Sequence, residues 1–478
     1  MRPIRFFFYC ISMLCLTALS VHAKTTFNKH QTIIKPHFHT PTVNHQQTRE
    51  TTQNIQPITE KEWNIFIYIA GNNDLYSFID ENLKQLQALC ATNTVNFIVQ
   101  TDKFGTRDVT RTLIQNNQSL VYWRASEISN AERAAKPRLY NSGAVENFVD
   151  FLSSGIERFK AKKQCVVVWN HGSGSIDPTQ WRSSRFDMDV DPATRGMAFN
   201  NSYNYFLSNT DLTVALSTVC ATALNNKPIE ILGLDICHGG QIEIAAQAKG
   251  CVQYIVASQE VELASGWNYT KAFATASSMP RTPLELATDI VDAYKKEYGA
   301  ISADYTLAIY DLISCPENQN KTYFELLELA LNDLSIKLLE LLKSPEKAII
   351  GKVVSEVRKK RNLCCDFYYN EYIDLHLFAM SLQNNLRQLM NLRDFRYNFP
   401  ATAQKVQEAM QLCVQTIELI NKVVPYYTSG IAFSGNPIRA RGISIAFPLG
   451  RLHSSYQYTV FARSNTWPDL VKACNALR

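Results

Sequence analysis

The chain has 478 residues, of which 46% are hydrophobic and 19% are charged, and its formal net charge at pH 7 is +5. This apolar fraction is too high for a disordered chain, and the length is sufficient for a sizeable buried core. The small net charge argues against an obligate nucleic-acid-binding protein, because nothing in the sequence builds the concentrated basic face that such a protein would need.

Residues 1–23 have the pattern of a secretory signal peptide. Arg2 and Arg5 form a basic start, an apolar run follows over 6–20, and Ala23 supplies a small residue at the end. The alternative is a retained membrane anchor, but the run is shorter than the ~20 residues of a spanning helix, and no later segment is apolar enough to span. We therefore expect an exported protein, secreted or periplasmic, with no membrane attachment after signal removal.

Residues 24–60 are rich in Thr, Gln, Asn and His and poor in apolar side chains. Such a stretch cannot bury enough surface to offset its ordering entropy, which indicates a polar linker or pro-segment. Four histidines lie in it, so a metal-binding tract is the alternative. They are His30, His37, His39 and His45.

The twelve cysteines show no C-x-x-C spacing, and export would allow disulfides. Most lie inside apolar runs, as Cys165, Cys220 and Cys251 do. Buried thiols of this kind behave as small hydrophobes. The sequence predicts no metal site and no cofactor from them.

Beyond residue 60, apolar strands alternate with amphipathic helices. The predicted strands cover 64–70, 95–100, 165–169, 229–236, 252–257 and 305–310. Helical spacing of apolar residues appears over 75–89 and 144–159, and Thr282 to Glu285 forms a capping box before another helix. Continuous apolar strands between helices indicate an α/β fold with a mostly parallel sheet covered on both faces.

The last third of the chain is predicted to be rich in helices. Leucine-rich helical stretches cover 323–342, 374–392 and 401–424, and a strand is predicted at 442–447. We expect residues 61–312 to form the main domain and 313–478 to be a helical region packed on it.

A histidine and a cysteine follow two of the buried strands. Asn170-His171-Gly172 comes after the third predicted strand, and Asp235-Ile236-Cys237 comes at the end of the fourth. In a parallel sheet, ligands bind at the carboxyl ends of the strands. A thiol needs a nearby base to become a nucleophile at neutral pH, so the two side chains are candidates for a catalytic pair. His238 is the weaker partner, because neighbouring side chains on an extended chain point to opposite faces. Each residue alone would more often be structural.

These two blocks resemble the clan of peptidases that includes caspases, legumains, gingipains and clostripain, and within it the clostripain family. The likeness covers roughly 61–312 in order, with a weaker echo at the C-terminus. It includes the segments 63–74 (WNIFIYIAGNND), 96–102, 166–174 (VVVWNHGSG), 195–197, 258–260, 266–269 and 442–448.

The resemblance implies a caspase-like sandwich and a cysteine endopeptidase that cleaves protein or peptide substrates after Arg, then Lys. It assigns Cys237 as the nucleophile and His171 as the residue that transfers a proton or polarises the substrate. Backbone N–H groups of Gly172 and Cys237 would form the oxyanion hole.

Asp235 matches the acid at the base of the family's S1 pocket, and a buried carboxylate facing a guanidinium favours Arg. The alternative for Asp235 is a loop-capping acid. The substrate cleft would be lined by four further residues, Ser258, Gln259, Glu260 and Trp267.

The chain departs from the family's pattern in two places. The segment 200–205 has Asn where relatives usually have Asp, and Ca²⁺ prefers carboxylates, so calcium dependence is unsupported. Cys237 is followed by His-Gly-Gly instead of the more usual Leu-Met.

Family members are also often activated by self-cleavage between the two blocks. The basic candidates for that cleavage are Arg182, Arg185, Arg195 and Lys227, with solvated loop charge as the alternative.

Two other classes of function stay open at this point. One is a catalytically silent relative that binds peptide or a surface partner on the same fold. The other is an exported interaction protein attached through its Thr- and His-rich segment, with the His and Cys incidental. Selective labelling of Cys237 by a peptide bearing a thiol-reactive group distinguishes the enzyme from both.

Overall fold

A computed structural model describes most of the chain beyond residue 58. The described residues are 59–89, 94–106, 108–115, 118–125, 129–175, 196–203, 205–302, 304–317, 320–359, 364, 367, 371–430 and 440–476. The predicted signal peptide and nearly all of the predicted linker lie outside them. The described residues all belong to one compact unit.

Thirteen strands occur in the described residues. They are β1 (Lys61–Gly71), β2 (Val95–Lys103), β3 (Val109–Gln115), β4 (Gln118–Arg124), β5 (Ala161–Trp169), β6 (Gly196–Asn200), β7 (Tyr205–Ser208), β8 (Ile229–Asp235), β9 (Val252–Ala257), β10 (Thr306–Asp311), β11 (Tyr372–Asp374), β12 (Tyr426–Ser429) and β13 (Ser444–Ala446).

The α-helices lie between the strands and dominate the last third of the chain. They are α1 (Ile79–Gln87), α2 (Asn130–Ala135), α3 (Val145–Arg158), α4 (Asn209–Ala223), α5 (Ile242–Ala248), α6 (Tyr269–Ser278), α7 (Pro283–Ile301), α8 (Tyr323–Leu342), α9 (Lys347–Lys359), α10 (Leu375–Asn391), α11 (Arg393–Asn398), α12 (Pro400–Val423), α13 (Val460–Ser464) and α14 (Trp467–Ala476). Within the described ranges, short 3₁₀ helices cover Asp74–Phe78, Pro137–Tyr140 and Ser454–Tyr458.

Nine strands form one sheet in the order β12-β10-β9-β8-β5-β1-β2-β3-β4. The five central strands, from β9 to β2, are parallel to one another. The outer strands β10 and β12 on one side and β3 and β4 on the other are antiparallel. The prediction of a mostly parallel sheet is therefore confirmed, and its antiparallel edges, including all of β3, β4 and β12, are additions that the sequence patterns did not reveal.

The sheet has an apolar core on each face. Phe66, Tyr68 and Ala70 of β1 belong to one buried cluster, and the alternate residues Ile67 and Ile69 belong to the other. Successive side chains of a strand point to opposite faces, so a strand covered on both sides must be apolar throughout. Helices α3, α4 and α5 and the C-terminal helices cover the first face, and α1, α6 and α7 cover the second.

The predicted helices are confirmed within a residue or two, apart from the start of the first one. Asp74–Phe78 is a 3₁₀ turn that precedes α1, and helix α7 begins at the predicted capping box, in which Thr282 Oγ1 accepts from the N–H of Glu285. The C-terminal part of the chain also adds β12 to the main sheet, and its strands β11 and β13 form a separate two-stranded ribbon. The domain boundary at residue 312 stays a prediction.

Eight cysteines of the described residues are free thiols. Cys165 and Cys220 are buried, as expected for thiols that act as small hydrophobes, and Cys251 is partly exposed. No helix among the described residues is long and apolar enough to cross a membrane.

Candidate active site

The His171 and Cys237 loops start side by side at the carboxyl ends of two paired strands. Strands β5 and β8 are parallel neighbours in which Trp169 is level with Asp235. The N–H of Asn170 donates to the carbonyl oxygen of Asp235 at 3.3 Å, which extends the pairing by one residue. His171 and Cys237 each follow two residues after this last register pair, so the sheet brings together the two residues that the sequence singled out.

The imidazole of His171 contacts an acid that the sequence reasoning did not single out. His171 Nε2 lies 2.7 Å from Asp74 Oδ1, and Asp74 belongs to the 3₁₀ turn that follows β1. The hydrogen bond from His171 lowers the pKa of Asp74, which stays ionised at neutral pH. A carboxylate can only accept, so Nε2 carries the proton and the lone pair of the neutral ring is on Nδ1. Nδ1 is then the nitrogen that can accept a thiol proton.

Two asparagines hold the turn that presents Asp74. The Asn73 amide donates to the carbonyl oxygens of Ala70 and Phe199, at 3.0 and 2.8 Å, and its Oδ1 caps the turn. Asn170 Oδ1 accepts from the N–H of Phe199 at 2.9 Å. Strand β6 is therefore tied both to the loop of Asp74 and to the residue before His171, which fixes the two loops relative to each other.

Cys237 is a half-buried residue whose thiol lies against the loop that follows β9. The N–H of Glu262 donates to Cys237 Sγ at 3.4 Å. Burial raises the pKa of Cys237 to about 11, and the charges of Glu260 and Asp235 also raise it. The thiol is therefore protonated at neutral pH in this form of the protein, so attack on a substrate requires that a base removes the proton.

His238 points away from this chemistry. Its φ of 54° lies in the left-handed region, which is costly for a residue with a side chain and is found at functional sites. The side chain is fully buried, and its Nδ1 donates to the carbonyl oxygen of Gln259 at 3.1 Å. Burial lowers its pKa to about 4, so it stays neutral. The geometry agrees with the expectation that His238 is the weaker partner of Cys237.

Gly172 lies directly against the Cys237 loop. A Cβ atom at this position would overlap the carbonyl oxygen of Cys237, so only glycine fits. Gly172 also forms an antiparallel bridge with Met197 of β6, in which the N–H of Ser173 donates to the carbonyl oxygen of Gly196 at 3.4 Å. The backbones of the two predicted oxyanion-hole residues are thus adjacent.

Asp235 lies in a buried pair of acids close to Cys237. Its Oδ2 accepts from the N–H of Trp267 at 2.9 Å and from the hydroxyl of Tyr269 at 2.8 Å. Its other oxygen faces the carboxyl group of Glu262, whose Oε2 accepts from the indole N–H of Trp267 at 3.0 Å. Burial raises the pKa of Asp235 to about 6, and burial together with the charge of Asp235 raises that of Glu262 well above its ordinary value. Burial and the repulsion between the two acids therefore favour one proton and one negative charge on the pair, with Glu262 the harder of the two to ionise.

The four predicted cleft residues are all buried, and the described contacts attach them to the scaffold. Ser258 Oγ lies 3.0 Å from Thr306 Oγ1, and Glu260 Oε1 accepts from the neighbouring N–H of Val261 at 2.7 Å. The amide group of Gln259 is bonded on both sides by the C-terminal region. Trp267 packs on Gly233 with its indole N–H on the acid pair. Their contact with substrate stays a prediction.

The segment in which asparagine replaces aspartate contacts another buried acid. Asn200 donates from its amide to Asp102 Oδ2 at 2.7 Å, and Asn72 donates to Asp102 Oδ1 at 3.0 Å. Amide donors therefore surround the carboxylate at a place where aspartates would repel it.

Within the part of the chain that the structure describes, no cluster of three or more His, Cys, Asp or Glu could hold a metal ion. Calcium dependence is not tested by this geometry.

Only one of the predicted self-cleavage candidates can be located. Arg182, Arg185 and Arg195 lie outside the described residues. Lys227 is exposed in the turn between α4 and β8.

Comparison with known proteins identifies the family. The model of the clostripain family of peptidases matches residues 67–426, which is more than half of the chain. The chain belongs to the clostripain family. It is therefore a clostripain-like cysteine endopeptidase. A comparison with curated proteins gave no match.

Solved structures of clostripain-family proteases have the same fold. A secreted C11 cysteine protease from Bacteroides thetaiotaomicron is 16% identical, with a TM-score of 0.55 over 85% of this chain and 100% of its own. An inactive zymogen C11 protease from Parabacteroides distasonis is 16% identical, with a TM-score of 0.54 over 86% of this chain and 99% of its own. A complex of the Bacteroides protease with an irreversible peptide inhibitor is 17% identical, with a TM-score of 0.53 over 85% and 99%. At this identity the likeness establishes the caspase-like fold.

Two acids of the site were missed by sequence reasoning. Asp74 ends the segment GNND after the first predicted strand, and Glu262 lies two residues beyond the segment 258–260 that resembles the family. Both follow the carboxyl end of a parallel strand, β1 and β9, which is where ligands bind in such sheets. The strand-end rule that selected His171 and Cys237 would have found them if it had been applied to every strand.

Proposed function

We propose that the chain cleaves peptide bonds after basic residues, Arg before Lys, with Cys237 as nucleophile and His171 as its base. The observation that supports this most directly is the position of the acid pair. Glu262 donates its N–H to the Cys237 sulfur, and its buried carboxyl group is paired with that of Asp235, which precedes Cys237 by two residues. A basic P1 side chain next to an attacked carbonyl would meet this negative charge.

In the proposed reaction, His171 Nδ1 takes the thiol proton as Sγ attacks the scissile carbonyl carbon. Asp74 holds the ring through Nε2 and stabilises the imidazolium that forms. The N–H groups of Gly172 and Cys237 stabilise the oxyanion, a contribution on the order of 3 kcal/mol for each donor. The imidazolium then protonates the leaving amine, and water hydrolyses the thioester to regenerate the thiol.

The P1 preference follows from the charge state of Asp235 and Glu262. One buried negative charge beside a carboxyl group attracts a cation and leaves an apolar P1 side chain without a partner. The planar guanidinium of Arg can engage both carboxyl groups at once, whereas the ammonium of Lys is a compact and strongly hydrated charge. Arg is therefore favoured over Lys.

The reaction is tested with fluorogenic peptides that carry Arg, Lys, Asp, Asn or Leu at P1, on protein that starts at Lys24. Cleavage after Arg and Lys should vanish in Cys237→Ala. It should persist in Cys315→Ser, which removes an exposed thiol elsewhere. A peptide chloromethyl ketone with P1 Arg should label Cys237 and leave Cys315 unlabelled. A silent relative would neither cleave nor label, and cleavage after another residue would refute the P1 assignment while keeping the peptidase.

We also infer that the protein is exported. The predicted signal peptide supports this, as does the similarity to a protease described as secreted. N-terminal sequencing of the protein from its native host should begin at Lys24. A mature chain that begins at Met1 would refute export through this signal.

A further inference from the structure

The three loops of the active site all touch one small element of the C-terminal region. Strands β11 and β13 pair antiparallel, with Tyr372 level with Ala446 and Asp374 level with Ser444. We call these two strands the β11–β13 ribbon. All six of its residues are buried. The ribbon lies outside residues 61–312, the part of the chain that was predicted to form the peptidase domain.

The first contact is with the loop of His171. The hydroxyl of Tyr372 donates to the carbonyl oxygen of Ser173 at 2.8 Å, two residues after the histidine. Next to it Gly174 has a φ of 68°, and a Cβ atom there would lie 2.6 Å from the same hydroxyl. The ring of Tyr372 also packs against His238, with 5.5 Å between the ring centroids. Tyr372 therefore fits closely between the His171 loop and the residue after the nucleophile.

The second and third contacts are with the loops that follow β9 and β8. Asp374 Oδ2 accepts from the amide of Gln259 at 3.1 Å, while the N–H of Gly442 donates to the amide oxygen of Gln259 at 2.9 Å. Ser444 donates to the carbonyl oxygen of Gly240 through its N–H at 3.0 Å and its hydroxyl at 2.8 Å. The cleft loop and the nucleophile loop are thus bonded to opposite strands of the same ribbon.

We propose that the β11–β13 ribbon holds the three loops in their catalytic arrangement and that Tyr372 is a positioning residue for His171. Loops at strand ends lack the ladder bonds that fix the strands themselves. A buried hydrogen bond to each loop restores that constraint, because breaking it leaves a buried polar group without its partner. This inference rests on the proposed function for the roles of His171 and Cys237. It means that residues of the C-terminal region contribute to the geometry of the active site.

The test removes single hydroxyl groups from the full chain. Tyr372→Phe deletes the bond to the His171 loop and keeps the ring. Tyr456→Phe is the matched control: Tyr456 is equally buried, belongs to the C-terminal region, and donates to Glu243 Oε1 at 2.6 Å on helix α5. Each change removes one buried hydrogen bond, so we expect similar decreases in Tm.

Activity should separate the two variants. Tyr372→Phe should lower kcat for an Arg peptide by about tenfold with KM within about twofold of the wild type, since a small displacement of the base is costly for the chemical step. Tyr456→Phe should leave both constants within about twofold of the wild type. Equal decreases in kcat for the two variants, or no decrease for Tyr372→Phe, would overturn the proposal.

A second readout does not require peptide cleavage. The rate of Cys237 alkylation by iodoacetamide depends on the nearby base, and His171→Ala gives its reference value without that base. Tyr372→Phe should move the pH profile of alkylation toward that of His171→Ala, whereas Tyr456→Phe should keep the wild-type profile. A wild type that cleaves no peptide would refute the proposed function alone, because the alkylation profiles still decide whether the ribbon positions His171. Identical profiles for the wild type and Tyr372→Phe would overturn the ribbon proposal.

Discussion

Replacing Asp235 with Asn should make the protein more stable and a poorer protease for basic substrates at the same time. Asp235 is almost fully buried, and its Oδ2 accepts from the N–H of Trp267 and the hydroxyl of Tyr269. An Asn side chain keeps an oxygen for those two donors and can donate its amide N–H to Glu262. The substitution therefore removes the buried charge without leaving a donor unpaired.

The stability gain follows from the raised pKa of Asp235, about 6 against an ordinary 3.8. Well below pH 3.8 the group is neutral in the folded and the unfolded chain. As the pH rises from 4 to 6 the unfolded chain ionises first, so the charge destabilises the folded state above pH 6. Two pH units correspond to on the order of 3 kcal/mol as an upper limit. Asp235→Asn should thus raise Tm at pH 7 and change it little at pH 4.

The loss of activity follows from the same charge. A charge-assisted hydrogen bond contributes about 1.5–3 kcal/mol, which corresponds to a decrease of roughly 10- to 150-fold in kcat/KM for Arg peptides. Peptides with Leu at P1 do not use the charge and should change little. In the wild type, kcat/KM for Arg peptides should also fall as the pH drops below about 6, where Asp235 becomes protonated.

The assay compares kcat/KM for matched Arg and Leu peptides with thermal unfolding at pH 4 and pH 7. Asp311→Asn is the control for a purely capping acid, because Asp311 Oδ1 accepts from the N–H groups of Ile313 and Ser314 while its Oδ2 accepts from the hydroxyl of Ser314, and an amide would lose one of these two acceptors. That variant should lose stability without any selective effect on Arg peptides. If Asp235→Asn behaves in the same way, or lowers the rates for Arg and Leu equally, Asp235 is a loop-capping acid and the reasoning about the S1 pocket fails.

Three further predictions concern the base, the thiol and the asparagine segment. Asp74→Asn should lower kcat by about tenfold with little change in Tm, because a mostly exposed carboxylate orients His171 through one charge-assisted hydrogen bond; an unchanged kcat in steady-state assays would contradict this. Alkylation of Cys237 by iodoacetamide should keep accelerating above pH 8, given its pKa of about 11; a plateau at neutral pH would indicate a preformed thiolate. Asn200→Asp should destabilise the protein by about 2–4 kcal/mol in urea unfolding, because it replaces a donor to the buried Asp102 with a like charge. Calcium should raise the Tm of that variant and leave the wild-type Tm unchanged; a calcium-dependent wild-type Tm would contradict the reasoning.

Much of the chain's organisation could be predicted because it depends on local patterns. The inner parts of β1 and β5, residues 65–70 and 165–169, are apolar at every position, since both faces of the sheet are covered there. Helix α7 begins at a capping box that can be recognised from four residues. The pair of His171 and Cys237 follows from one topological rule, that parallel strands present their carboxyl ends at the same edge.

The sequence by itself therefore determined the central sheet, its helical cover and the neighbouring positions of the His171 and Cys237 loops. The tertiary structure alone decided what surrounds them. Asp74 and His171 are in contact although they are 97 residues apart in the sequence, and Tyr372 and Ser173 are 199 residues apart. Contacts between such distant segments leave no periodicity in the sequence, and β11 and β13 have only three residues each. Because these contacts form only when the whole chain folds, they could not be predicted from local patterns.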